Sequence, residues 1–231
     1  MKKKITFISD THTKHNQIAS DLPGGDILIH AGDFMNAGYN PMEAIQFFQW
    51  YDKIDNYDTK IFIAGNHDRY MQNEPEEVKG LLTGYKTIEY LMDEGMSIYD
   101  MDEDNLIKIY GSPWSPYFYN WAWNLPRNGP ELQEKWGNIP DDTDILICHT
   151  MPWGHLDITD NMRVGCELLR FRVDEIKPKI FVGGHIHSGY GYKFDGHTHF
   201  FNASVLDNGY KYNNKPITIE WDPITNTVNF L

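Results

Sequence analysis

Lys179-Ile180-Phe181-Val182-Gly183-Gly184-His185-Ile186-His187 holds the pattern that decides the fold: a short apolar run, two glycines, then two imidazoles. The run is too short for a helix and is stopped by glycine, so it reads as a buried strand over 179–182 ending in a ligand-rich turn. The pattern recurs upstream. Apolar runs at 5–9, 26–30, 60–64 and 144–148 lead into Asp10-Thr11-His12, Gly32-Asp33, Gly65-Asn66-His67-Asp68 and His149. Open α/β sheets bind ligands outside the carboxyl ends of their strands, so five strand ends are expected to meet at one crevice. A lone Asp-x-His or Gly-Asn-His-Asp is an ordinary turn; five such blocks in order, each behind a strand, are not. The glycines before Asp33, Asn66 and His185 would permit the tight turns that convergence needs.

Between these strands, residues 41–51 carry Ala44, Ile45, Phe47, Phe48 and Tyr51 at helical spacing behind Asn40, a natural N-cap. Residues 74–82 and 164–173 also read as helices, and 105–110 as a strand. From 190 onward the pattern alternates and is broken by Asp195-Gly196 and Asp222-Pro223, predicting antiparallel strands at 190–194, 197–202, 216–221 and 227–231. The expectation is an α/β fold of two packed mixed sheets with helices outside. No repeat or Gly/Ser linker interrupts the 231 residues, so 1–231 reads as one domain.

A net charge of −13 argues against a long nucleic-acid duplex as partner, since duplex binding needs a basic footprint. It argues less against a small phosphate ester, because bound cations reverse the local field. No apolar run approaches the ~20 residues of a membrane helix. Met1-Lys2-Lys3-Lys4 imitates the start of a secretory leader, but Ser9 and Asp10 cut the following apolar stretch short. Cys148 and Cys166 form no CxxC pair, so a disulfide scaffold is excluded and a reducing cytoplasm is the expected setting.

The converging set of Asp10, His12, Asp33, Asn66, His149, His185 and His187 offers only oxygen and nitrogen donors. Seven are too many for one zinc and suit two five- or six-coordinate cations sharing a carboxylate, with Mn, Fe, Zn, Ni and Mg all admissible. His30, inside a strand, reads as buried and structural. His197 and His199 share one face of a strand and read as a surface feature.

These five blocks resemble the motifs of the calcineurin-like metallophosphoesterases. Tyr110-Gly111-Ser112-Pro113-Trp114-Ser115-Pro116, Arg163-Val164-Gly165-Cys166, Gly189-Tyr190-Gly191, Asn202-Ala203-Ser204 and Asn214-Lys215-Pro216-Ile217 narrow the likeness. They are similar to the branch of metallophosphoesterase-domain proteins related to a fetal-brain protein, near the class III cyclic-nucleotide phosphodiesterases. The likeness runs from about residue 5 to 219. It implies a four-layer αββα sandwich, and two divalent metals, manganese first among the candidates. Asp10, His12 and His187 would hold one metal, and Asn66, His149 and His185 the other. Asp33 would bridge them, and His67 would be the catalytic histidine. Where many members continue Gly-Asp with Asp-Arg, this chain has Phe34-Met35. An acidic partner for His67 is therefore missing, which leaves Asn36 or Asp68 to orient its ring.

The reaction implied is hydrolysis of small phosphate diesters by a metal-bridging hydroxide, with 2′,3′- or 3′,5′-cyclic nucleotides as first candidates. A phosphomonoesterase, a nuclease or a non-catalytic scaffold would be the alternatives. Arg163 and Arg69 are candidate substrate clamps. The aromatic block Trp114, Tyr117, Phe118, Tyr119, Trp121 and Trp123 reads mainly as core or subunit contact, which leaves a homo-oligomer open.

Overall fold

The computed structural model describes residues 2–100 and 105–231. Along the chain lie β1 (Lys3–Ile8), β2 (Gly25–His30), α1 (Pro41–Lys53), β3 (Tyr57–Phe62), α2 (Arg69–Asn73), α3 (Pro75–Leu82), β4 (Ile88–Tyr90), β5 (Glu94–Asp100) and β6 (Asn105–Ser112). Next come the short β7 (Ser115–Pro116) and β8 (Asn124–Leu125), α4 (Pro130–Gly137), β9 (Ile145–Cys148), the short β10 (Ile158–Thr159) and β11 (Met162–Arg163), α5 (Glu167–Ile176) and β12 (Ile180–Gly183). The chain closes with β13 (Gly191–Phe194), β14 (His199–Asn202), β15 (Ile217–Asp222) and β16 (Thr227–Phe230). One six-stranded sheet runs β16-β15-β1-β2-β3-β4 and the other β13-β14-β12-β9-β6-β5. Each has four consecutive parallel strands, β1–β4 in the first and β14, β12, β9 and β6 in the second; antiparallel β15 and β16 extend the first at one edge, and antiparallel β13 and β5 flank the second.

Strand alternation sorts the side chains into layers. Ile5, Phe7, Ile27, Ile29, Ile145, Ile147, Ile180 and Val182 fill the space between the sheets. Their neighbours turn outward: Ile8, Leu28 and Phe62 meet Phe47, Phe48 and Tyr51 of α1, and Leu146 and Phe181 meet Trp136 of α4 and Leu169 and Val173 of α5. This is the αββα sandwich. Each such side chain contributes about 1.5–3 kcal/mol on burial, and a one-residue slip of register would turn a whole set to the wrong face. Asn40 caps α1 as expected, accepting from Met42 N at 3.1 Å. The last predicted helix begins later, at Glu167, capped by the Cys166 sulfur and stopped by Lys177 in the left-handed conformation.

The C-terminal strands differ from a simple run of hairpins. β13 and β14 pair with each other, but β14 lies parallel to β12, whereas β15 and β16 cross to the other sheet, where β15 pairs with β1 and β16 pairs with β15. The acidic run Asp100, Asp102, Glu103 and Asp104, read from sequence as a solvated turn, falls from Asp102 onward outside the described residues. Among the described residues no helix is long and apolar enough to cross a membrane.

Buried histidines set an acid limit. His30 is fully buried, with Nδ1 accepting from Gly32 N (3.2 Å) and Nε2 facing Thr11 Oγ1 (2.9 Å). Burial holds it down at about 3, and His15 and His155 at about 4. These folded-state values lie below the unfolded ~6.5, so the unfolded chain binds more protons across that window. Stability is therefore expected to fall as pH drops from 6.5 towards 4, by up to about 1.4 kcal/mol per pH unit for each ring. His155 stacks on Phe200 (3.8 Å) with neither nitrogen hydrogen-bonded. His155→Phe should raise the urea midpoint at pH 7 and remove one proton from the pH slope. An unchanged slope would contradict this.

Candidate metal centre

The five loops behind β1, β2, β3, β9 and β12 meet at one end of the two sheets. Asp10, His12 and His187 form one cluster and Asp33, His149 and His185 another, the ligand atoms within each lying within 4.8 Å of one another. His12, Asp33 and His67 form a third group that overlaps the other two. Asp33 stands between the pair: its Oδ2 lies 3.3 Å from His149 Nε2 and 3.9 Å from His12 Nε2. Asn66 Oδ1 joins at 3.0 Å from His149 Nε2. All seven residues singled out as ligands in the sequence are thus brought together, with His67 beside them.

The backbone bends sharply to do this. Asp10 (φ 54°), His12 (38°), Asp33 (58°) and His185 (66°) all occupy the left-handed region, a strain that concentrates at functional sites. Only one of the three glycines acts through a turn, Gly32 with φ of 97°. Gly65 and Gly184 act through close approach. A Cβ on Gly184 would stand 2.1 Å from Asp10 Oδ2 and from Ser9 Oγ. Asp10 cannot yield, because Ser204 Oγ donates to Oδ2 (2.8 Å) and His185 N to both oxygens (3.1 and 3.0 Å). Gly184→Ala is therefore expected to lower activity about 10²-fold or more, with loss of bound metal, in a chain that still folds. Full metal content by elemental analysis would contradict it.

The donor set fits cations. Nδ1 of His12, His149 and His187 faces the carbonyls of Met35 (3.0 Å), Ala31 (2.8 Å) and Asp207 (3.0 Å). Only an N–H bonds a carbonyl, so each Nε2 is turned toward the carboxylates, the arrangement found in metal-ligating histidines. His12 Nε2 is buried without a hydrogen-bond partner. Burial works against a charged His149 and His187, yet Asp33 and Asp10 outweigh it and lift both to about 9. Burial raises Asp33, and the charge of His149 overcomes it and holds the carboxyl below the usual range. The centre is thus a buried negative field suited to positive charge.

His67 donates from Nδ1 to the main-chain carbonyl of Asn36 and stacks on Trp121 at 3.9 Å. Of the two residues left to orient the ring, Asn36 does so through its backbone. Asp68 does something else: buried, it accepts from the amides of Asp33 (2.8 Å), Met35 (2.8 Å) and Gly65 (2.7 Å), tying two loops together. Arg163, offered as a substrate clamp, instead pairs with Asp157 at 2.6 Å and is not among the residues lining the cavity. Arg127, which the sequence reading missed, lines that cavity of about 510 Å³. One arginine between Pro126 and Asn128 gives no local signal. The aromatic block divides. Trp123 is buried against Trp114, whereas Tyr117, Phe118 and Tyr119 are exposed, the first two lining the same cavity. His199 is buried rather than superficial, bonded to Tyr192 and Asn226; His197 is exposed.

A fold of this kind around clustered Asp, Asn and His defines a metal-dependent phosphoesterase. The family model for calcineurin-like phosphoesterases matches residues 3–189, and the chain belongs to that family. It is 40% identical over 236 residues to the human metallophosphoesterase domain-containing protein 1, covering 94% of this chain and 70% of that protein. It is 37% identical to the Caenorhabditis elegans UPF0046 protein T07D4.2, covering 94% of this chain and 59% of that one. Among solved structures, TT1561 of Thermus thermophilus superposes with a TM-score of 0.65 over 100% of this chain and 99% of its own, at 14% identity, a likeness of fold alone.

Proposed function

We propose that the protein hydrolyses small phosphate diesters at a two-metal centre, with Asp10, His12 and His187 holding one cation, Asn66, His149 and His185 the other, and Asp33 shared. The observation that carries this is Asp33 Oδ2 facing His12 and His149, one imidazole from each side of the centre. Two divalent ions, when bound, supply an activated water and neutralise charge on the phosphate oxygens.

The chain's own groups do the rest. His67, its Nδ1–H committed to Asn36, presents Nε2 to the leaving oxygen as general acid. Trp121 keeps the ring from turning. Phe118 and Tyr210 form walls of the cavity beside His67 and leave room for an ester substituent. Cyclic nucleotides are the first candidate substrates and manganese the first candidate metal. We take residues 1–231 as the catalytic domain. Two free buried thiols, Cys148 and Cys166, support a reducing cytoplasmic setting.

The test is a panel with Mn²⁺: bis-nitrophenyl phosphate, nitrophenyl phosphate, 2′,3′- and 3′,5′-cyclic nucleotides and single-stranded oligonucleotides. Diesters, cyclic nucleotides included, should be cleaved fastest. A preference for the monoester or for oligonucleotides would contradict the reading.

A further inference from the structure

A second cavity, of about 520 Å³, is also lined by His67. It shares His67, Phe118 and Tyr210 with the first and adds Tyr39, Arg69 and Trp121. Arg69 distinguishes it. The other four arginines are ion-paired: Arg127 with Glu167 (2.5 Å), Arg163 with Asp157 (2.6 Å), Arg170 with Asp174 (2.7 Å) and Arg172 with Asp141 (2.6 Å). Among the described residues Arg69 has no carboxylate partner, in a chain of net charge −13. Its Nη2 donates to the Asn120 carbonyl, and its Nε is buried without a hydrogen-bond partner.

The guanidinium is held ready. It lies between the rings of Tyr39 (5.1 Å) and Trp121 (5.2 Å), and Trp121 stacks in turn on His67. Tyr70 N donates to Gly38 O (2.8 Å), which fixes the Tyr39 loop against α2; Ala122 N donates to Asn66 O (3.0 Å), which fixes Trp121 beside the centre. A planar cation with open N–H groups among aromatic faces matches a flat ring that carries an anion.

We propose that this cavity is the leaving-group subsite for acyclic diesters, beside the cyclic nucleotides whose leaving oxygen stays on the same molecule, and selects an aromatic alcohol bearing an anionic substituent. Its use for a leaving group rests on the phosphodiesterase reading; its affinity for an aromatic anion does not. In the reaction, water oxygen bonds to phosphorus and the P–O bond to the aromatic alcohol breaks. The electron pair stays on the departing oxygen, which leaves as the free phenolate where a nitro group stabilises it and otherwise takes its proton from His67.

The first measurement uses metal-free protein and no turnover. 4-Nitrobenzoate should quench tryptophan fluorescence saturably, more tightly than nitrobenzene, and acetate should not compete at equal concentration. Arg69→Met should weaken binding about tenfold or more, the loss of a charge-assisted hydrogen bond. Arg69→Lys, with its charge kept, should fall between. Non-saturable quenching, or equal affinity in the wild type and folded Arg69→Met, would overturn the subsite. The second measurement adds Mn²⁺ and compares methyl diesters of 4-nitrophenol and of 3-carboxy-4-nitrophenol. The carboxylated leaving group should be preferred in kcat/KM, and Arg69→Met should erase the preference. Cleavage of both without preference overturns the subsite. Cleavage of neither, with the metal-free binding intact, overturns the phosphodiesterase reading and the leaving-group role while the anion site stands.

Discussion

Replacing Asp33 by alanine is expected to strip the protein of both metals and of activity together. Asp10, His149, His185 and His187 each belong to one cluster, whereas Asp33 lies within reach of His12 on one side and His149 on the other. Its main chain also braces the loops: its carbonyl accepts from His12 N (3.0 Å), and its amide donates to Asp68 (2.8 Å). Alanine keeps those backbone bonds and removes the carboxylate, along with the bond its Oδ1 accepts from His67 N (2.7 Å). His12 and His149 would then lose their shared counter-charge in a fully buried setting. The fall in metal affinity should exceed the about 10–100-fold typical of losing an outer partner. Elemental analysis of Asp33→Ala after dialysis should find less than one metal per chain, against two in the wild type. His187→Ala, which touches one cluster, should keep more metal than Asp33→Ala.

His67→Ala should separate chemistry from metal binding. The ring sits at the edge of the centre, held by the Asn36 carbonyl and Trp121, and its amide donates to Asp33 Oδ1 at 2.7 Å. That amide bond survives substitution by alanine, so the Asp33 carboxylate keeps its position. A positioned acid contributes about 10²–10⁴-fold when the leaving oxygen needs a proton. Diesters with alkoxide leaving groups should lose about that much, and nitrophenolate esters, which leave unprotonated, under about tenfold. Metal content should not change. Equal losses on both classes would remove the general-acid role.

The site was more legible in the sequence than its supports were. Runs such as Ile145-Leu146-Ile147-Cys148 are buried on both faces, so apolar residues are continuous and the first polar residue marks the strand's end. That is why Asp10, Asp33, Asn66, His149 and His185 could be found. The edges carry no such mark. β4 is Ile-Glu-Tyr, and β5 mixes Glu94, Gly95, Ser97 and Asp100 with apolar residues, because one side of an edge strand faces solvent. α4 buries only Leu132 and Trp136, too few for a helical period to stand out. The partner of His67 is a main-chain carbonyl, which no side-chain pattern reveals. The left-handed backbone at Asp10, His12, Asp33 and His185 is likewise hidden, since aspartate and histidine occupy ordinary backbone elsewhere. Arg69 could be named from sequence, but that it has no carboxylate partner among the described residues depends on where the acidic side chains end up.

The most direct test of the account is a crystal of the protein soaked in Mn²⁺ and measured at the manganese absorption edge. Two anomalous peaks are predicted, one among Asp10, His12 and His187 and one among Asn66, His149 and His185, with the Asp33 carboxylate in contact with both. A single peak, or two peaks that Asp33 does not join, would contradict it.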